Sequence, residues 1–80
     1  MYKHKDKYQI LGLNVAYYRK LRGFTQTQLA DKLFVTRHHL SRIESPNAVK
    51  SFSIDLIFEI ADILEIDMAM LFENKKQSNS

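Results

Sequence analysis

The sequence predicts a single all-α domain of five helices. Three observations lead there. Among 80 residues only two are Gly and one is Pro, so few positions interrupt a helix. Apolar residues recur at spacings of three and four, with little of the period-two alternation that marks strands. Thr25, Thr36, Ser53 and Asp67 each stand just ahead of such a stretch, where an N-cap belongs. A chain of this length makes one small domain. Residues 8–72 are expected to form it, between a basic tail over 1–7 and a polar tail over 73–80.

The first helix is expected over 8–22, with Leu11, Val15, Tyr18 and either Leu21 or the stem of Arg22 facing inward. Gly12 lies inside it and lowers its helicity; close approach of another helix accounts for a Gly there. Gly23 can take the left-handed conformation that ends a helix, and Phe24 turns back to the core. Thr25 and Gln28 have the spacing of a capping box for a second helix over 26–33. Leu29, Ala30 and Leu33 form its apolar face. Thr36 caps a third helix over 37–44, backed by Leu40 and Ile43. Pro46 stops that helix, and 45–51 read as a loop anchored by Phe52. Ser53 caps a fourth helix, with Ile57, Ile60, Ala61 and Leu64 inward. Ile66 plugs the next connection, and Asp67 caps a short fifth helix through Leu71 and Phe72.

Composition narrows the function. Cys is absent, so neither a disulfide nor a thiolate metal site supports the domain, and a cytoplasmic home fits. The apolar runs are too short to span a membrane, and the charged N-terminus is followed by no apolar signal region. Charge is divided along the chain. Residues 1–50 hold ten Lys and Arg against three acids, a net of +7. Residues 51–80 hold two Lys against six acids, a net of −4. A basic half suits a polyanion, with the acidic half turned away from it.

The third helix concentrates the basic, hydrogen-bonding groups. Its outward face carries Arg37, His38, Ser41 and Arg42, with His39 at the edge and no acid before Glu44. A short helix with an apolar back and such a front suits a DNA major groove. Arg37 can make a bidentate pair with guanine O6 and N7, or a phosphate contact that carries no sequence information. Arg42 takes a phosphate or reads a base further along. Lys20, Arg22, Lys32 and Lys50 are further candidates for phosphate, or for plain solvated charge. His38 and His39 are adjacent and diverge by about 100° on a helix, so they do not share a metal ion easily. No carboxylate or His stands at i+4 to complete a site. There is no nucleophile with a base, no paired carboxylates and no Gly-rich phosphate loop, so an enzyme is not expected. No cofactor or small-molecule ligand is implied.

In order along the chain stand Leu11-Gly12, Val15, Tyr18-Arg19, then Gly23-Phe24-Thr25-Gln26 and Leu29-Ala30, then Val35-Thr36 and Leu40-Ser41-Arg42-Ile43-Glu44. Ile57, Ile60-Ala61, Leu64, Ile66 and Leu71-Phe72 follow. At these spacings the chain resembles the lambda-repressor-like, or XRE-family, helix-turn-helix domains over about residues 10–72. The resemblance implies a compact five-helix domain whose second and third helices form the DNA-binding motif. It implies base-edge or neighbouring phosphate contacts by Thr36, Arg37, His38 and Arg42, and phosphate contacts by Gln26, which also braces the recognition helix. His39, Ser41, Lys32 and Lys50 are placed with the phosphate contacts. It implies an ion pair between Arg19 and Glu44 that ties the first helix to the third. Two positions depart from the family pattern. Phe34 occupies a turn where Gly with positive φ is common, so either the turn differs or it accepts strain. Pro46 stands two residues past the glutamate, where Gly is usual.

Beyond the core stripe, the acidic half carries surplus apolar residues, among them Phe58, Ile63, Met68 and Met70. These are expected to form a homodimer interface that sets two recognition helices about one DNA turn apart. The expected function is sequence-specific binding of double-stranded DNA, on a two-fold operator, by a dimeric transcriptional regulator with the helix over 37–44 in the major groove. Alternatives are a controller protein of a restriction–modification system, or a protein-interaction module that has lost DNA binding.

Overall fold

The computed structural model describes residues 5–45 and 53–74. They form four α-helices, Lys5–Leu21 (α1), Gln26–Leu33 (α2), Arg37–Glu44 (α3) and Ile54–Leu64 (α4), then a 3-10 helix over Met68–Phe72. No strand occurs among the described residues. The fifth element is therefore not the α-helix expected. Asp67 makes no side-chain cap bond there, and the turn closes from Met70 N–H to the Asp67 carbonyl at 2.9 Å. Five residues leave little room for an i→i+4 ladder, and short pieces often settle as 3-10. α1 starts at Lys5, so residues 5–7, expected in the tail, make its first turn. Asp6 lies in that turn and suits the positive end of the helix dipole; apolar periodicity gives no sign of a polar first turn.

The core is built from one face of each helix. Val15, Leu29, Leu40, Ile43, Ile60, Leu64 and Leu71 are fully buried. α1 packs on both α3 and the 3-10 helix, and α2 packs on α3 and α4. Gly12 is the point where α3 comes closest. A Cβ built there would overlap the Ile43 carbonyl oxygen, so only Gly lets the two backbones meet. Leu21 is exposed, and Arg22 turns to α4 instead. Its Nε donates to the Leu64 carbonyl at 2.7 Å and its Nη2 to the Glu65 carbonyl at 3.2 Å. A cation thus closes the C-terminus of a helix that has no basic residue in its last turn.

Three connections repeat one device. After α1, α2 and α4 a residue enters the left-handed region: Gly23 at φ 81°, Phe34 at φ 59° and Glu65 at φ 59°. In each, that residue's N–H bonds back three residues and the next N–H bonds back five, the Schellman arrangement. The next residue is apolar and packs on the core: Phe24, Val35 and Ile66. The cap of the following helix comes immediately after. The Thr25–Gln28 capping box forms, and Thr36 Oγ1 accepts from His39 N–H at 3.0 Å. Of the loop expected over 45–51, all but Ser45, Pro46 included, lies outside the described residues, as does the anchoring role of Phe52.

Phe34 accepts the strain that its position imposes. Its side chain is 92% exposed, so the ring makes little contact within the chain to offset the left-handed backbone. Phe34→Gly should stabilise the domain by about 1 kcal/mol, a rise in Tm of roughly 4–8 °C by calorimetry. An unchanged or lower Tm would mean that the ring supports the fold. Gly12→Ala should act in the opposite sense. It forces α1 and α3 apart and should lower stability in urea by about 2 kcal/mol, within the usual range for overpacking.

Candidate nucleic-acid interface

α3 is held by its back and presents its front. Leu40 and Ile43 are 0% and 1% exposed, while Arg37, His38 and Arg42 are exposed and His39 and Ser41 half-buried. The outward face therefore carries two guanidinium groups and imidazole with no exposed carboxylate. Thr36 is exposed at its start, with its hydroxyl oxygen already taken as the N-cap. Arg37 and Arg42 are five positions apart, which places them about 140° apart around the helix. One can point into a groove while the other reaches to its wall.

The acid of α3 is withdrawn from this face. Glu44 is buried, and Arg19 grips it through two bonds, Nε to Oε2 at 2.7 Å and Nη2 to Oε1 at 3.0 Å. The remaining arm of Arg19 donates from Nη1 to the Phe24 carbonyl at 2.8 Å, just before the cap of α2. Gln26, from the first turn of α2, donates from Nε2 to Glu44 Oε1 at 3.0 Å. One carboxylate thus gathers α1, α2 and α3. The bidentate geometry fixes both distance and direction. Among the described residues, no buried side-chain polar atom lacks a partner.

The other predicted site residues are scattered. Lys32 turns toward α4, its ammonium 5.5 Å from the centre of the Phe24 ring, and lines a shallow pocket with Asp62 and Glu65. Lys50 lies outside the described residues. Ile63, Met68 and Met70 are partly buried and pack against the core. Phe58 is 48% exposed, next to Ile54 one turn away at 53%. The acids of the second half, Asp55, Glu59, Asp62, Glu65, Asp67 and Glu73, are all exposed.

Two features are not apparent from the sequence reading. Asn14 is buried and donates from Nδ2 to the Leu71 and Glu73 carbonyls at 2.7 and 2.8 Å, which fastens the end of the 3-10 helix to α1. The signal for it was an amide within an otherwise apolar helix face. The outward side of α1 is also apolar, with Leu13, Tyr17 and Leu21 about half exposed. Among the described residues, no group of three or more His, Cys, Asp or Glu is placed to hold a metal ion, and no helix is long and apolar enough to cross a membrane.

A family model described as helix-turn-helix matches residues 15–71. A comparison with curated proteins finds no match.

Removing the buried carboxylate should be costly. Glu44→Gln leaves the Arg19 guanidinium buried without its counter-charge and should lower stability by about 3–5 kcal/mol, read as a shift of the urea midpoint. The double variant Arg19→Met, Glu44→Leu should recover much of that loss. A double variant no more stable than Glu44→Gln would mean that the two side chains act independently.

Proposed function

We propose, from the premise that this chain belongs to the XRE, lambda-repressor-like helix-turn-helix family of DNA-binding regulators, that it is a sequence-specific transcriptional regulator working as a homodimer on double-stranded DNA. α2 and α3 are its helix-turn-helix, and α3 enters the major groove. The observation that carries this reading is the face of α3: Arg37, His38 and Arg42 are exposed, and the acid of that helix is held by Arg19 and Gln26. Binding phosphate and base edges needs positive charge and donors without a competing carboxylate.

In this reading Arg37 pairs with guanine O6 and N7 near the start of α3. His38 and Thr36 face the neighbouring base edges, and Arg42 reaches a phosphate or a base further along. Gln26, Ser41 and His39 contact the backbone and set the register, which phosphate contacts do without reading sequence. Lys32 is less well placed than these, because its ammonium lies over Phe24. In this reading the exposed acids of α4, and Asp67 and Glu73 on either side of the 3-10 helix, face away from the duplex. Two copies on a two-fold operator place their recognition helices about 34 Å apart, one turn of DNA.

Selection of bound sites from random duplex DNA should return a two-fold site. Against that site, Arg37→Ala should erase the preference at one base pair per half-site, a loss of about 1–3 kcal/mol. Arg42→Ala should weaken selected and unrelated duplexes alike and reduce the salt slope by about one. Binding of DNA that does not fall with salt, or no binding at all, would refute the proposal in favour of a protein-interaction module.

A further inference from the structure

α1 is apolar on two sides, and only one of them meets the core. Leu11, Val15 and Tyr18 point inward. Ile10, Leu13, Tyr17 and Leu21, spaced three, four and four, form a second stripe. Leu13 and Tyr17 are each 49% exposed and Leu21 59%. At about 100° per residue, Leu13, Tyr17 and Leu21 lie roughly 100–180° around the axis from Gly12, the position seated against α3. A helix hydrophobic on both sides is expected to be covered on both.

The charges around this stripe point to what covers it. Asp6 stands at its N-terminal end and lines a groove of about 420 Å³ with Ile10, Leu13, Tyr17 and Glu73. Lys20 stands at the other end and lines a second groove, which also includes Leu13 and Tyr17. Lys7 is exposed beside Asp6, but the groove at this end is lined by two acids, Asp6 and Glu73, and by no cation, whereas the other is lined by Lys20 and no acid. Leu13 stands midway between Asp6 and Lys20 along the stripe. A second copy laid antiparallel across it brings each Asp6 opposite the partner's Lys20, while leucines and tyrosines meet between. A two-fold contact requires such self-complementarity. The competing apolar patch, Ile54 and Phe58 on α4, lacks it. Exposed Asp55, Glu59 and Asp62 surround that patch, and α4 has no basic residue, so two copies paired there would set acid against acid.

We propose that two copies of this chain pair through the outward face of α1, antiparallel about Leu13, with Asp6–Lys20 contacts closing both ends. This rests on the dimeric regulator proposed above and names its interface. The stripe and α3 lie on different sides of α1, so pairing leaves both recognition faces open.

Sedimentation equilibrium of the full chain without DNA, up to about 1 mM, tests it. The wild type should dimerise, and Leu13→Glu should weaken the dimer by about tenfold or more. Asp6→Lys and Lys20→Glu should each weaken it, and the two together should restore it. Circular dichroism checks that each variant is folded; if Leu13→Glu unfolds, the charge swaps at exposed positions carry the test. A wild type that stays monomeric, a double swap that does not restore pairing, or a dimer broken by Phe58→Glu and not by Leu13→Glu overturns the interface. DNA affinity of the same variants, measured separately, shows whether the DNA-binding reading stands without it.

Discussion

Both oxygens of the Glu44 carboxylate are occupied by neighbours from other helices, and the placement of α3 depends on that. A carboxylate in the last turn of a helix faces the negative end of the helix dipole, and this one is also buried. It is tolerable only because Arg19 and Gln26 meet it. An ion pair of this kind does not guarantee more stability than a well-packed apolar contact. Its contribution is directional. A fork of two parallel bonds holds α3 against α1 at a set distance, where leucines alone could slide. Gly12 completes the constraint from the backbone side, because the helices must approach closely for the fork to close.

The fold was legible wherever burial leaves a period in the sequence. The inward residues of α1 to α4, the caps at Thr25, Thr36 and Ser53, and the meaning of Gly12 all follow from spacing and side-chain chemistry. The start of α1 was not legible, because a solvated first turn has no apolar rhythm. Nor was the 3-10 character of the last helix, since five residues do not separate a period of 3.0 from one of 3.6. Asn14 escaped because its partners are carbonyls near the far end of the chain, and backbone acceptors leave no mark on a sequence. Arg22 was open to two readings, an inward stem or a surface cation, and its carbonyl partners at the end of α4 were hidden for the same reason.

The face of α3 was legible as a set of residue types, and its brace as part of a family resemblance. What spacing could not give was the division of labour among the cations. Arg19, Arg22 and Lys32 are engaged with Glu44, the end of α4 and Phe24 in turn, while Arg37 and Arg42 stand in the open. The apolar surplus was also divided differently from the sequence reading. Ile63, Met68 and Met70 went largely to the chain's own core, and the outward side of α1 kept more exposed apolar surface than its core pattern suggested.

The three connectors have a consequence for how such a domain meets its target. Each is three or four residues long and ends in the same order: one left-handed, one pinned to the core, one at the cap position. None has slack to act as a hinge, so α1, α2 and α3 move as a single body. A reader this stiff cannot mould itself to an imperfect duplex, and the accommodation falls to the DNA. Steps that bend or untwist easily would then be favoured even where no side chain touches a base. If the protein discriminates among sequences as proposed, part of that discrimination would be written in the flexibility of the duplex rather than in its hydrogen-bonding edges.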